Sequence, residues 1–230
     1  MSTAYLLIDV ASISIPFIFS FHPKLQFYKQ WKSFFLACII TLVPFLLWDM
    51  FFTELGVWGF NTNYLSGFNI GNLPVEEVLF FICIPYACVF TYHCIDRMYN
   101  VKFSRKVAAI ITCSLIALLV AGAIFNFEKK YSVSTFVSLS IFLSLLMLFK
   151  KADWLGKFYV VFLILLIPFL IVNGILTGSF LDVPIVWYNN SENMNFRIFT
   201  IPFEDVFYAM LLIGANIYLY DAFRKKTVSE

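Results

Sequence analysis

Charge is what this sequence has least of. Asp, Glu, Lys and Arg make up 13% of its 230 residues, against 61% hydrophobic. A soluble domain of this size would lack the polar surface to cover itself. Histidine is scarce too. His22 and His93 share no metal-like spacing with each other or with a cysteine pair, so no metal is expected. The five cysteines, Cys38, Cys83, Cys88, Cys94 and Cys113, form no Cys-x-x-Cys. They fall in or at the ends of apolar runs and read as small buried apolar residues. A Gly-x-Gly-x-x-Gly loop is missing, and no cofactor is expected. The net charge of +2 points to no nucleic-acid partner, because the basic residues lie between the apolar runs. The first apolar segment carries Asp9 and has neither a basic leader nor a small-residue cleavage site, so a retained span is expected there.

What the sequence has in abundance is long apolar runs. Many reach the roughly 18 residues needed to cross about 30 Å of hydrocarbon. The expected fold is an all-α integral membrane protein with seven spans, at about 4–21, 33–53, 74–95, 105–125, 131–149, 157–177 and 201–222. The basic residues test this layout. Lys24, Lys29 and Lys32 follow the first span, and Arg97, Lys102, Arg105 and Lys106 the third. Lys150, Lys151 and Lys157 follow the fifth, and Arg224, Lys225 and Lys226 the last. Thirteen of the 16 Lys and Arg thus fall on one side, with Lys129, Lys130 and Arg197 on the other. The positive-inside rule then places the N-terminus outside and the C-terminus in the cytoplasm, with the chain in the cell membrane. Two aromatic, Asn-rich loops, about 54–73 and 178–200, face outward. They are expected to lie on the interface like a lid.

The chain also repeats itself. Asn72-Leu73-Pro74-Val75-Glu76-Glu77 opens the third span, and Ile201-Pro202-Phe203-Glu204-Asp205 opens the seventh. Upstream, Pro44-Phe45-Leu46-Leu47-Trp48-Asp49 is similar to Pro168-Phe169-Leu170-Ile171-Val172-Asn173, with Thr53 and Thr177 each four residues further on. Spans one to three match spans five to seven, and span four connects them. This gives a first repeat over 1–100, a connector over 101–128 and a second repeat over 129–230. The extra span restores direction, so the repeats run parallel about a pseudo-two-fold axis along the membrane normal. Both acidic motifs then lie at one depth.

Proline followed by acids is also what an ordinary helix start favours. Depth argues for more. Asp9, Asp49 and Asn173 sit one to two turns inside the outer ends of their spans, where polar groups face an interior or a cavity. No Lys or Arg within the spans neutralises them. Adjacent residues on a helix point about 100° apart, so one acid of each pair can face a pocket while the other holds a loop or a neighbouring helix. Several carboxylates in such a pocket would not all ionise. A proton donor would stand beside an acceptor, as general acid–base work requires. Aromatic faces nearby could stabilise a developing carbocation.

With these motifs the sequence resembles the integral-membrane lycopene cyclases built from two related small domains. Pro74-Val75-Glu76-Glu77 and Pro202-Phe203-Glu204-Asp205 carry the likeness, with the Pro-Phe-Leu-Leu-Trp-Asp stretch and its aromatic loop. It covers essentially the whole chain as a fused two-domain form. The second copy departs from the first in having Asp205 for Glu77 and Asn173 for Asp49, so the halves need not contribute equally. The resemblance implies a non-redox cyclisation of the ψ end groups of lycopene, or a related linear carotene, to rings through a carbocation. The catalytic candidates are then Glu76, Glu77, Glu204 and Asp205, supported by Pro74, Pro202, Asp49 and Asn173. The implied partners are the linear carotenoid, the bilayer, and other carotenoid enzymes or further copies of the chain. Two other classes compete: a transporter or proton pathway with parallel repeats, and a carotenoid-binding protein without catalysis. A retinal protein is excluded, because the last span has no lysine at its middle.

Overall fold

The computed structural model describes residues 3–227, apart from the side chains of 225–227. The side chains of Lys225 and Lys226, part of the charge count above, lie outside the described residues. The described chain is 71% helical. Its helices are α1 (Ala4–Phe19), α2 (Trp31–Glu54), α3 (Val75–Met98), α4 (Arg105–Phe125), α5 (Lys130–Leu148), α6 (Ala152–Leu176) and α7 (Glu204–Thr227). Six of them are long and apolar enough to cross a membrane, and the protein is a multi-pass membrane protein.

The exception is α1, the helix found at the expected first span. α1 has 16 residues, which at 1.5 Å per residue gives about 24 Å, short of the hydrocarbon thickness. It stops where Ser20 turns its hydroxyl onto the Pro16 carbonyl (2.7 Å) and the Tyr86 hydroxyl (2.6 Å). His22 then precedes Pro23, a setting that disfavours helical backbone.

The two long loops contain strands that the sequence did not suggest: β1 (Trp58–Phe60), β2 (Asn69–Ile70), β3 (Leu73–Pro74), β4 (Val186–Tyr188), β5 (Arg197–Ile198) and β6 (Ile201–Pro202). β2–β3 and β5–β6 are small hairpins, each leading into a helix. Pro74 and Pro202 therefore end strands just before α3 and α7, rather than occupying a first helical turn. A proline is tolerated there because no ladder bond needs its missing N–H.

β1 and β4 pair with each other, Trp58 opposite Tyr188 and Gly59 opposite Trp187. The expected lid is thus a ribbon joining the two loops across the halves. Gly59 is required by this crossing, since a Cβ there would lie 2.4 Å from the Trp187 ring.

The internal repeat is visible bond by bond, 128 positions apart. Ser66 N donates to Glu76 Oε1 at 2.6 Å, and Met194 N to Glu204 Oε1 at 2.6 Å. Val75 N reaches Phe68 O at 2.9 Å, and Phe203 N reaches Phe196 O at 3.0 Å. Asn69 pairs with Pro74 as Arg197 pairs with Pro202.

α3 and α7 run side by side in the same direction and cross-link reciprocally at their C-terminal ends. Tyr92 donates to Asp221, and the Tyr220 hydroxyl bonds His93 Nδ1 at 2.8 Å. Around them, Asp96 pairs with Lys157 of α6 and with Arg224. The ends of α3, α6 and α7 away from the acidic motifs are thereby tied together. α1 packs on α3, α2 and α5 on α7, and α4 covers α5 and α6.

Candidate active site

The first turn of α3 holds Glu76 and Glu77, both buried. Their helical offset sends them different ways. Glu76 Oε1 accepts the Ser66 amide and fastens the first loop. Glu77 turns into a cavity and accepts from the Tyr5 hydroxyl of α1 at 2.5 Å. Asp49, from the last turns of α2, accepts from Trp58 Nε1 at 2.5 Å. The Asp49 and Glu77 carboxyls are close enough to interact electrostatically and line the same cavity.

The second half has the same plan with other partners. Glu204 Oε1 accepts the Ser132 hydroxyl (2.5 Å) and the Met194 amide (2.6 Å), fastening the second loop. Asp205 faces the cavity and accepts three donors: Tyr131 OH at 2.5 Å, Asn173 Nδ2 at 2.8 Å and Tyr188 OH at 3.0 Å. Trp58 meets the Tyr131 ring edge to face at 5.1 Å, and Tyr131 stacks on Tyr188 at 5.9 Å. The donors to Asp49 and to Asp205 therefore touch.

One cavity of about 310 Å³ receives Asp49, Glu77, Asn173 and Asp205. Its remaining wall is largely apolar and aromatic, including Phe60, Phe80, Phe169 and Tyr208. Of the expected site residues, the structure brings these four together. Glu76 and Glu204 lie one position back in the same helices and bind the loops instead. Pro74 and Pro202 set the entries to the two helices. Asp9 is fully buried on α1 with neither oxygen hydrogen-bonded, near Glu76, and is not part of the cavity wall.

Of the donors, sequence reasoning found Asn173 and missed the aromatic ones. Tyr5 and Tyr131 open the first helix of each repeat and bind the equivalent acids. Their 126-residue separation, close to that of the motifs, is the signal that could have found them. Trp58 and Tyr188 were read as interface aromatics, and Tyr208 had no role.

Outside the helices, enclosure and the neighbouring Asp205 carboxyl push the Tyr188 phenol well above its ordinary range, which keeps it a donor. At the rim, Lys130 donates to Glu192 at 2.6 Å and holds that carboxyl below its ordinary value.

No curated protein and no solved structure matches the chain. The lycopene cyclase family model matches it twice, over residues 2–95 and again over 128–223. These segments are the two halves whose equivalent bonds recur 128 positions apart, and together they span most of the sequence. The chain belongs to the lycopene cyclase family.

Proposed function

We propose that the protein closes the ψ end of lycopene, or of a related linear carotene, by acid–base chemistry alone. A proton adds to the terminal double bond of the end group and leaves a tertiary cation. The next suitably placed double bond of the chain attacks it, forming the ring carbon–carbon bond and moving the cation into the ring. Loss of a ring proton restores a double bond, here to give a β ring. One proton enters and one leaves, so substrate and product are isomers.

The observation that carries this reading is the unequal company of three carboxyls on one apolar cavity. Asp205 has donors from three side chains, the setting of an acceptor. Asp49 and Glu77 receive one side-chain donor each and line the same cavity, a setting in which two carboxyls can hold one proton between them. We assign proton donation to the Glu77–Asp49 pair and proton acceptance to Asp205, oriented by Asn173, Tyr131 and Tyr188. Glu76 and Glu204 position the loops. The cation would pass between aromatic faces, Phe80 and Tyr208 among them.

The basic residues support an orientation with the acidic end outward and the C-terminus in the cytoplasm. The working units are a repeat over 1–100, a connector over 101–128 and a repeat over 129–230, in the cell membrane.

Pigment analysis in a host that accumulates lycopene tests the reading. The wild-type chain should convert lycopene to a cyclic carotene. Glu77→Gln and Asp205→Asn should each reduce conversion by about 10²–10⁴-fold at equal membrane levels, the usual range for a lost general acid or base. Unchanged lycopene beside well-expressed wild type would overturn the cyclase reading.

A further inference from the structure

The cavity runs away from the acids towards the middle of the helices. Along α3 it extends from Glu77 to Thr91, 14 residues or about 21 Å. On the side between α1 and α6 its wall includes residues that are themselves exposed, Ala11 and Ile15 of α1 and Pro168 of α6. α1 and α6 meet near the acidic end, where Tyr5 and Leu176 belong to one packed cluster. Below that contact they part. Pro16 and Pro168, one in each helix, line the gap. Each lacks the N–H that would tie its helix to the preceding turn, so both walls can bend there.

The repeat supplies a control within the molecule. Val172 lines the open side. Its equivalent, 124 positions earlier, is Trp48, which packs against Tyr208 at 5.2 Å and Phe45 at 5.9 Å. The equivalent of Pro16, 126 positions on, is Phe142 of α5. Large rings thus stand on α2 and α5 at the positions equivalent to those that line the open side on α6 and α1.

We propose that the gap between α1 and α6 is a side door to the bilayer, through which the carotene enters end first and through which its far half protrudes during the reaction. This rests on the cyclase reading above. The dimensions support it. A cavity of about 310 Å³ is at the lower limit of pockets that enclose a drug-sized ligand. It can hold an end group and some polyene, and the rest of a carotene has to remain outside. The apolar mouth leaves the emerging chain in lipid. The enzyme therefore handles one end at a time, and a two-ringed product requires release and re-entry.

The test compares Ala11→Trp and Ile15→Trp at the mouth with Val137→Trp and Ile141→Trp, the equivalent exposed positions on α5. Two quantities are measured at equal membrane levels: cyclic carotene formed, and carotene retained on the purified, monodisperse protein. The mouth variants should lose at least about tenfold in both, and the α5 variants should match wild type. Full conversion and retention in the mouth variants, or equal losses on both helices, would overturn the door. If wild type retains lycopene without converting it, the cyclase reading fails while the door is still judged by retention. If wild type does neither, both fail.

Discussion

The two halves share a backbone plan and bring different side chains to the cavity. In the first, Asp49 and Glu77 line one cavity, each with a single side-chain donor. In the second, Asn173 stands at the equivalent position and donates its amide to Asp205 at 2.8 Å. In the proposed function, this oxygen-to-nitrogen change is what separates the proton-donating pair from the acceptor. The packing diverges in the same way, with Val172 beside a cavity and Trp48 filling its counterpart. A duplicated unit has thus kept what builds the site, the hairpin, the proline and the loop-fastening glutamate. It has changed the groups that each half brings to the cavity.

The largest test removes that difference. Asp49→Asn would give the first half the second half's amide. The shared proton would be lost and Glu77 would become, like Asp205, an acceptor with a donor beside it. Lycopene conversion should fall by about 10²-fold or more, with the protein still folded, because the amide oxygen can still accept from Trp58 Nε1. Pigment yield against membrane level measures it. Activity within a few fold of wild type would mean that the proton does not reside on this pair.

A smaller effect separates the two loop-fastening glutamates. Glu204 Oε1 holds two donors, whereas Glu76 Oε1 holds the Ser66 amide and lies near the unpaired Asp9 carboxyl. Glu204→Gln weakens charge-assisted bonds and should cost about 1–2 kcal/mol. Glu76→Gln relieves the unfavourable electrostatic interaction with buried Asp9, so it should be neutral or stabilising. Thermal midpoints of the purified variants in detergent compare them. Equal destabilisation would show that the two glutamates are fastened alike.

Much of this asymmetry was legible in the residues and much was not. The helices follow from apolar runs that little else could accommodate, and all seven expected spans appear as helices with ends shifted by a few residues, six of them long and apolar enough to cross a membrane. The pairing of Asp49 with Asn173 and of Glu77 with Asp205 could be read from the repeat. Which acid of each pair points inward could not. That depends on where the hairpin delivers the chain into the helix, and a shift of one residue turns the side chain by about 100°. Tyr5 and Tyr131 were hidden because an aromatic residue at a span's end is ordinary in a membrane protein. The β1–β4 ribbon joins segments some 128 residues apart, and neither strand carries a local signal beyond three residues of bulk.

The smallest test concerns a turn that the repeat has left unequal. Gly71 begins the β2–β3 turn with φ of 66°, and Phe199 takes the same place in the β5–β6 turn with φ of 55°. Glycine holds that conformation without steric cost, whereas a residue with a Cβ meets its own carbonyl at a cost of about 1–2 kcal/mol. Phe199 is 81% exposed, so its ring returns little packing inside the protein. Phe199→Gly should therefore stabilise the second hairpin, by less than the full strain because glycine also loses more backbone entropy on folding, leaving a gain of up to about 1 kcal/mol. The reciprocal Gly71→Phe should destabilise by about 1–2 kcal/mol, and the Met50 methyl 3.1 Å from the Cβ position adds to the crowding. Opposite shifts in thermal midpoint would show that the turns differ only in how each sequence tolerates a shared backbone. A loss of stability in Phe199→Gly would instead give the exposed ring a role in anchoring the second loop to the membrane surface, one that Gly71 in the first half cannot perform.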